Sequence, residues 1–139
     1  MFVRQRLGLA EAQRAHDAIL AALTPTDSPI ALAIADEHGV PILLLRQDGA
    51  PARMLSRARA KAYTAANLGL DTMAFRDQHV KAKQRSLADW GDAMLTTLQG
   101  GLTIVCDGQV VGGIAMSGNT TTRDEVLARV GLAAMGLQP

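Results

Sequence analysis

Residues 7–23 place Leu9, Ala12, Ala15, Ile19, Ala22 and Leu23 at steps of three and four, the spacing of one face of a helix. Thr24–Pro29 interrupts that spacing with two prolines. Ile30–Ala35 and Pro41–Leu45 follow as nearly continuous apolar runs, joined by Asp36-Glu37-His38-Gly39. Such runs predict an antiparallel hairpin buried on both faces, with Pro41 at a strand start because it has no N–H to donate. Residues 51–69 predict a second helix that stops at Gly69. Ser56 is its candidate N-cap, although Pro51 allows an earlier start. Its inner face is small (Ala58, Ala62, Ala65, Ala66, with Ala60 nearby), which lets a helix lie close to a sheet.

Residues 70–99 are less regular. Asp71 can cap a short helix, and Ser86 a further one carrying Leu87, Trp90, Met94, Leu95 and Leu98. His79–Arg85 is basic and reads as a solvated face or, less simply, a binding patch. After Gly100-Gly101, LTIVCDGQVVGGIAM predicts a second hairpin with a type I′ turn at Asp107-Gly108. Gly112-Gly113 within its second strand points to a bulge or a close approach by a helix or ligand. Thr122-Arg123-Asp124-Glu125 matches a capping box opening the last helix, whose apolar face would be Val126, Leu127, Val130, Leu132, Ala133 and Leu137. The expected fold is α+β: a single domain over residues 1–139, with an antiparallel sheet of four to five strands and helices on both faces.

Composition narrows the function classes. Hydrophobic residues make up 48% of the 139 residues, enough for a packed core, but aromatics are only 3%, so that core is aliphatic. Stacking platforms for single-stranded nucleic acid are scarce and the formal charge is only +1, so no nucleic-acid partner is expected. The one cysteine, Cys106, leaves no intrachain disulfide and reads as a structural strand residue. No apolar run is long enough to span a membrane, and charges interrupt the N-terminal stretch where a signal peptide needs an apolar run. A soluble, cytoplasmic protein is expected, and the apolar excess favours self-association.

Metalloprotease, P-loop and paired C-x-x-C motifs are absent, and Ser117 lacks a nucleophile-elbow context. One constellation stands out. The loops Arg46-x-Asp-Gly-Ala and Met116-Ser-Gly-Asn each end a strand and precede a helix start, where free N–H groups attract anions. Arg46, Lys61, Ser117 and Gly118 would then line a site for a carboxylate or a haem propionate. Lys61 would pack its stem among alanines and extend its head to a cleft or solvent. Alternatively, Arg46 pairs with Asp48 or Asp36 and only fixes its loop.

The pattern A-x-A-x-x-D-x-x-G-x-P at Ala31–Pro41, R-x-D-G-A at Arg46–Ala50 and S-x-A-x-x-K-A-x-T-A at Ser56–Ala65 resembles the GlcG/HbpS haem-binding family. Gly100-Gly101, the DGxVVGxIxxSG segment at Asp107–Gly118 and Asp124-Glu125 continue the match in order. The resemblance implies a profilin-like α/β/α domain that assembles into homo-oligomers, octamers among them. It further implies that haem binds with a histidine or threonine as axial ligand. In the PduO-type relatives the ligand histidine lies on the first helix, which makes His16, at the edge of the first helix's apolar stripe, the candidate haem-iron ligand here. A role on a small anionic metabolite in a catabolic operon is the alternative implied. Two positions depart from the family pattern: Thr103 replaces a common proline, and Gln47 a common methionine.

Overall fold

The computed structural model describes residues 1–139. Four strands, β1 (Ala31–Asp36), β2 (Pro41–Arg46), β3 (Leu102–Cys106) and β4 (Gln109–Ser117), form one antiparallel sheet in the order β2-β1-β4-β3. Helices α1 (Leu9–Ala22) and α4 (Thr121–Ala134) cover one face, and α2 (Ala52–Leu68) covers the other. A short α3 (Thr72–Phe75) runs directly into a π-helical turn, Arg76–Lys81, and a single 3-10 turn follows at Leu87–Trp90.

The alternation inside β1 explains why its apolar run is unbroken. Leu32 and Ile34 point to the α1/α4 side, where they meet Ile104, Ile114 and Met116 from the other strands, Ala15 and Ile19 from α1, and Leu127 from α4. Ala31, Ala33 and Ala35 point to α2 and meet Ala58 and Ala62 across the interface. Small residues on both sides bring α2 almost onto the sheet. A Cβ added at Gly113 would lie 2.1 Å from the Ala62 carbonyl oxygen, so Gly113 serves the close helix approach, whereas one at Gly112 would meet the Ala35 carbonyl oxygen of β1 at 2.2 Å, next to the bulge in the β3–β4 pairing. The hairpin turn has φ +48° at Asp107 and +76° at Gly108, as a type I′ turn requires.

Several local expectations change. β2 is an edge strand and only half-buried, because β1 is covered by neighbours on both sides and β2 on one. α2 starts at Ala52 behind Pro51, whose fixed φ suits a helix start, so Ser56 is an exposed helical residue and not a cap. Asp71 turns its Oδ1 to the Thr103 N–H (2.9 Å) instead of capping α3. The helix expected after Ser86 is one turn long, ended by Gly91 at φ +66°, although Ser86 does cap it by accepting from the Ala88 N–H. The N-cap of α4 is Thr120, whose Oγ1 accepts from the Arg123 N–H, so Thr122 lies inside the first turn. Val126 and Val130 face outward, while Leu127, Ala128 and Gly131 face the core. Cys106 is half-exposed at its strand end, with its thiol pushed up by desolvation and by the neighbouring Asp107 charge.

Candidate functional site

The residues singled out by sequence occupy three separate places. Lys61, Ser117 and Gly118 meet between α2, the end of β4 and the start of α4. Lys61 is only 2% exposed. Its Nζ donates to the Met116 carbonyl and, at 3.4 Å, to that of Gln99, and lies 3.8 Å from Asp124 Oδ2. The ammonium therefore reaches neither a cleft nor solvent, contrary to expectation. Burial lowers the Lys61 pKa and raises that of Asp124, with their mutual attraction opposing both shifts. Asp124 Oδ1 also accepts the Asn119 N–H, so the start of α4 already holds a carboxylate of its own chain. Gly118, at φ +134°, packs so tightly that a Cβ would fall 2.5 Å from the Pro29 carbonyl oxygen. Asn119 fastens the same point, accepting from the Ser28 N–H at 2.9 Å and donating to the Ser28 carbonyl at 3.3 Å.

Arg46 stands apart from this knot. Ala31 pairs with Arg46 on one side and Ser117 on the other, which puts the two residues at one end of the sheet, about 10 Å apart across two strand spacings. Arg46 is exposed and makes no ion pair. Asp36 lies at the far end of the hairpin, where its Oδ1 accepts from the His38 and Val40 N–H groups. Arg46 instead lines an open cavity of about 610 Å³ with Thr24, Asp27, Ser28, Gln47 and Asp48. Asp27 is held there by a two-pronged bond to Arg123 (2.9 and 2.8 Å), which lowers its pKa well below the usual carboxylate range. Sequence reasoning missed this pair, because its partners lie 96 residues apart and only the fold brings them together.

His16 lies on α1, over the face of the sheet opposite α2. Helical geometry sets Arg14, Ala18 and Ala22 on the flank toward α4, where Arg14 reaches the Met135 carbonyl and Arg123 the Ala22 carbonyl. His16 and Leu20 fall on the other flank, toward β2, whose Leu43 and Leu45 extend the apolar core there. The imidazole is 26% exposed. Its Nδ1 sits 2.9 Å from Asp17 Oδ1, and Nε2 has no partner.

Over residues 7–133 the sequence matches the family model described as HbpS-like, haem degrading protein HbpS-like. The chain belongs to the HbpS-like family. A curated relative, the uncharacterized 15.0 kDa protein in the dhaT-dhaS intergenic region of Citrobacter freundii, is 28% identical over 125 residues, covering 89% of this chain and 88% of that protein. Among solved structures, the PduOC–haem complex matches with a TM-score of 0.86 at 23% identity, covering 96% of this chain and 98% of that one. The Klebsiella pneumoniae protein ORFY matches at 0.84 and 24% identity, covering 100% and 99%. A double mutant of Streptomyces reticuli HbpS matches at 0.82 and 26% identity, covering 96% and 89%. The α+β sandwich of this HbpS-like chain is thus the fold of these proteins.

His16 fits one requirement of a haem. The Asp17 carboxylate at Nδ1 favours the proton on that nitrogen, which leaves Nε2 as the ligating atom, the arrangement common at metal-bound imidazoles. Leu20, Leu43 and Leu45 supply apolar surface on the same flank. Arg46 pairs with Ala31, whose side chain faces α2, but the cavity that it lines at this end of the sheet also takes in Leu23 and Leu45 from the α1 side. Asp17 was legible in the sequence only as the neighbour of His16; its role depends on which way the imidazole turns.

Proposed function

We propose that this protein binds haem as a homo-oligomer, with His16 as an axial ligand. The observation that carries the reading is the half-buried imidazole with Nδ1 engaged by Asp17 and Nε2 free, in a chain of a family described by haem degradation. Bound haem would supply the iron centre. The chain's part is to hold the imidazole in one tautomer and offer Leu20, Leu43 and Leu45 as an apolar wall. His16 lines none of the principal cavities of the single chain, so a second copy is needed to close the ligand off from water. Titrating the purified protein with haem tests this: a shifted Soret band is expected, lost in His16→Ala and formed about 10- to 100-fold more weakly in Asp17→Asn. An unchanged spectrum in His16→Ala rules His16 out.

A second reading, binding of a small carboxylate in a catabolic role, is favoured by the unpaired Arg46 in its polar cavity. Thermal shift with small mono- and dicarboxylates, compared between wild type and Arg46→Ala, decides it. A shift that survives the substitution excludes Arg46 as the anchor.

A further inference from the structure

Among the buried side-chain oxygens and nitrogens of the chain, one has no hydrogen-bond partner: Glu37 Oε2. The Glu37 side chain is only 4% exposed. Its other oxygen is occupied, with Arg6 Nε at 3.3 Å and His38 Nε2 at 3.5 Å. A carboxylate oxygen that has left water and gained no donor costs stability, so such an atom in a folded chain calls for an explanation. Glu37 sits in the turn between β1 and β2, where it lines a polar cavity of about 290 Å³ together with the last turn of α2.

The rest of that wall is also short of donors. α2 ends on Gly69 at φ +64°, whose N–H bonds back to the Ala65 carbonyl. The carbonyls of Ala66, Asn67 and Leu68 accept no backbone N–H, and all three residues line the same cavity. These open carbonyls form the negative end of the helix dipole. The Asn67 amide uses its Nδ2 on the His38 and Tyr63 carbonyls (3.2 and 3.1 Å), which leaves Oδ1 to accept. Against these acceptors stands one cation that also lines the cavity, Arg4. Its guanidinium makes no ion pair and lies 5.8 Å from the centre of the Phe2 ring.

We propose that this cavity binds a small zwitterion, an amino acid whose ammonium group meets Glu37 Oε2 and the acceptors beside it and whose carboxylate meets Arg4. An ammonium group carries only donors, which suits an acceptor wall, and a charge-assisted bond to Oε2 supplies the partner that the chain lacks. The local charges discriminate against simpler ligands. Arg6 already faces Glu37 and Arg4 adds a second positive charge, so a bare cation gains little. A simple carboxylate meets Arg4 but leaves Oε2 without a donor. No three His, Cys, Asp or Glu side chains are grouped to hold a metal ion. Glu37 follows the last residue of β1 while Arg46 pairs with the first, so this site lies at the other end of the hairpin from the Arg46 cavity. It depends on neither His16 nor haem.

Isothermal titration calorimetry of the full chain with L-alanine, L-serine, L-glutamate and L-lysine tests this. Ethylamine and propionate, which are alanine without its carboxylate and without its ammonium group, are titrated beside them. Saturable binding of at least one amino acid is expected, with ethylamine and propionate weaker by about tenfold or more. Glu37→Gln and Arg4→Ala are each expected to weaken the amino acid by about tenfold or more, while His16→Ala and Arg46→Ala leave it unchanged. No saturable binding of any of these amino acids, the result if Oε2 holds only water, overturns the proposal. So does an affinity unmoved in either Glu37→Gln or Arg4→Ala, or ethylamine or propionate binding as tightly as the amino acid. Amino-acid binding that is lost in Arg46→Ala places the ligand in the other cavity and overturns this site. Arg4 is exposed and precedes α1, so Arg4→Ala keeps the fold. If Glu37→Gln fails to fold by circular dichroism, Arg4→Ala and the two truncated ligands decide.

Discussion

Lys61 joins three elements through one ammonium group, and the cost of removing it follows from what stays behind. Without it, Asp124 is a buried carboxylate with one hydrogen bond and no counter-charge. Lys61→Met is expected to destabilise the fold by about 3–5 kcal/mol, and adding Asp124→Asn should recover part of that loss. Equilibrium urea unfolding of the four members of the cycle measures both. Asp27 gives the opposite titration. Arg123 holds its folded-state pKa below the ordinary aspartate value, so its charge stabilises the fold at neutral pH. That contribution is lost as pH falls through the ordinary value and beyond, because the unfolded chain takes up the proton first. Asp27→Asn should therefore be less stable than wild type at pH 7, with a gap that narrows as urea midpoints are followed into the acid range. A gap independent of pH refutes the assignment. The two departures from the family pattern also resolve at this scale. Gln47 Oε1 accepts the Ile30 N–H at 2.8 Å, a bond methionine would make poorly, and the Thr103 N–H that a proline would lack goes to Asp71.

The elements were largely legible because their signals are local. The Asp107-Gly108 turn, the Gly69 stop and the alanine face of α2 are decided by neighbouring residues and backbone geometry. Where the reading missed, tertiary contacts override the local signal. Thr122-x-x-Glu125 is a good capping box, but Asn119 is already tied to Ser28, and the helix starts two residues sooner at Thr120. Val126 and Val130 have the right spacing for a buried face; only the position of α1 shows that the core lies around Leu127 and Gly131 instead. Glycine positions offer a clean contrast at this scale. Gly113→Ala would drive a Cβ to 2.1 Å from the Ala62 carbonyl, so α2 must lift from the sheet at an expected cost of about 3 kcal/mol. Gly108→Ala meets no atom within 4 Å and pays only for φ +76°, about 1 kcal/mol. Thermal or urea unfolding that ranks them the other way refutes the close-approach account.

At the scale of the molecule, the fold and the candidate sites were unequally readable. The order of elements and the family pattern run through the whole chain and point to one architecture. The proposed sites depend on which residues share a face. In the sequence Arg46 reads with Lys61, Ser117 and Gly118 and His16 stands by itself; the fold buries Lys61 away from Arg46 and gives Arg46 a cavity shared with Leu45 of the α1 side. The same logic applies to the outer surface. Val126, Val130 and Ala133 form an exposed apolar stripe on α4. It continues into a cleft of about 320 Å³ at the β3 edge, where Ala133 joins Val105, Leu132 and Leu137. A stripe continuous with a cleft beside an unpaired strand edge is the surface on which self-association is expected to depend. No helix here is long and apolar enough to cross a membrane. Placing two lysines on the stripe, Val126→Lys with Val130→Lys, leaves the core side of α4 untouched. Sedimentation velocity at micromolar concentration is expected to show the wild type as an oligomer and the double variant shifted toward monomer, with circular dichroism unchanged. An oligomer of the same size in both would move the interface elsewhere, and a monomeric wild type would leave His16 without the second subunit that the haem reading requires.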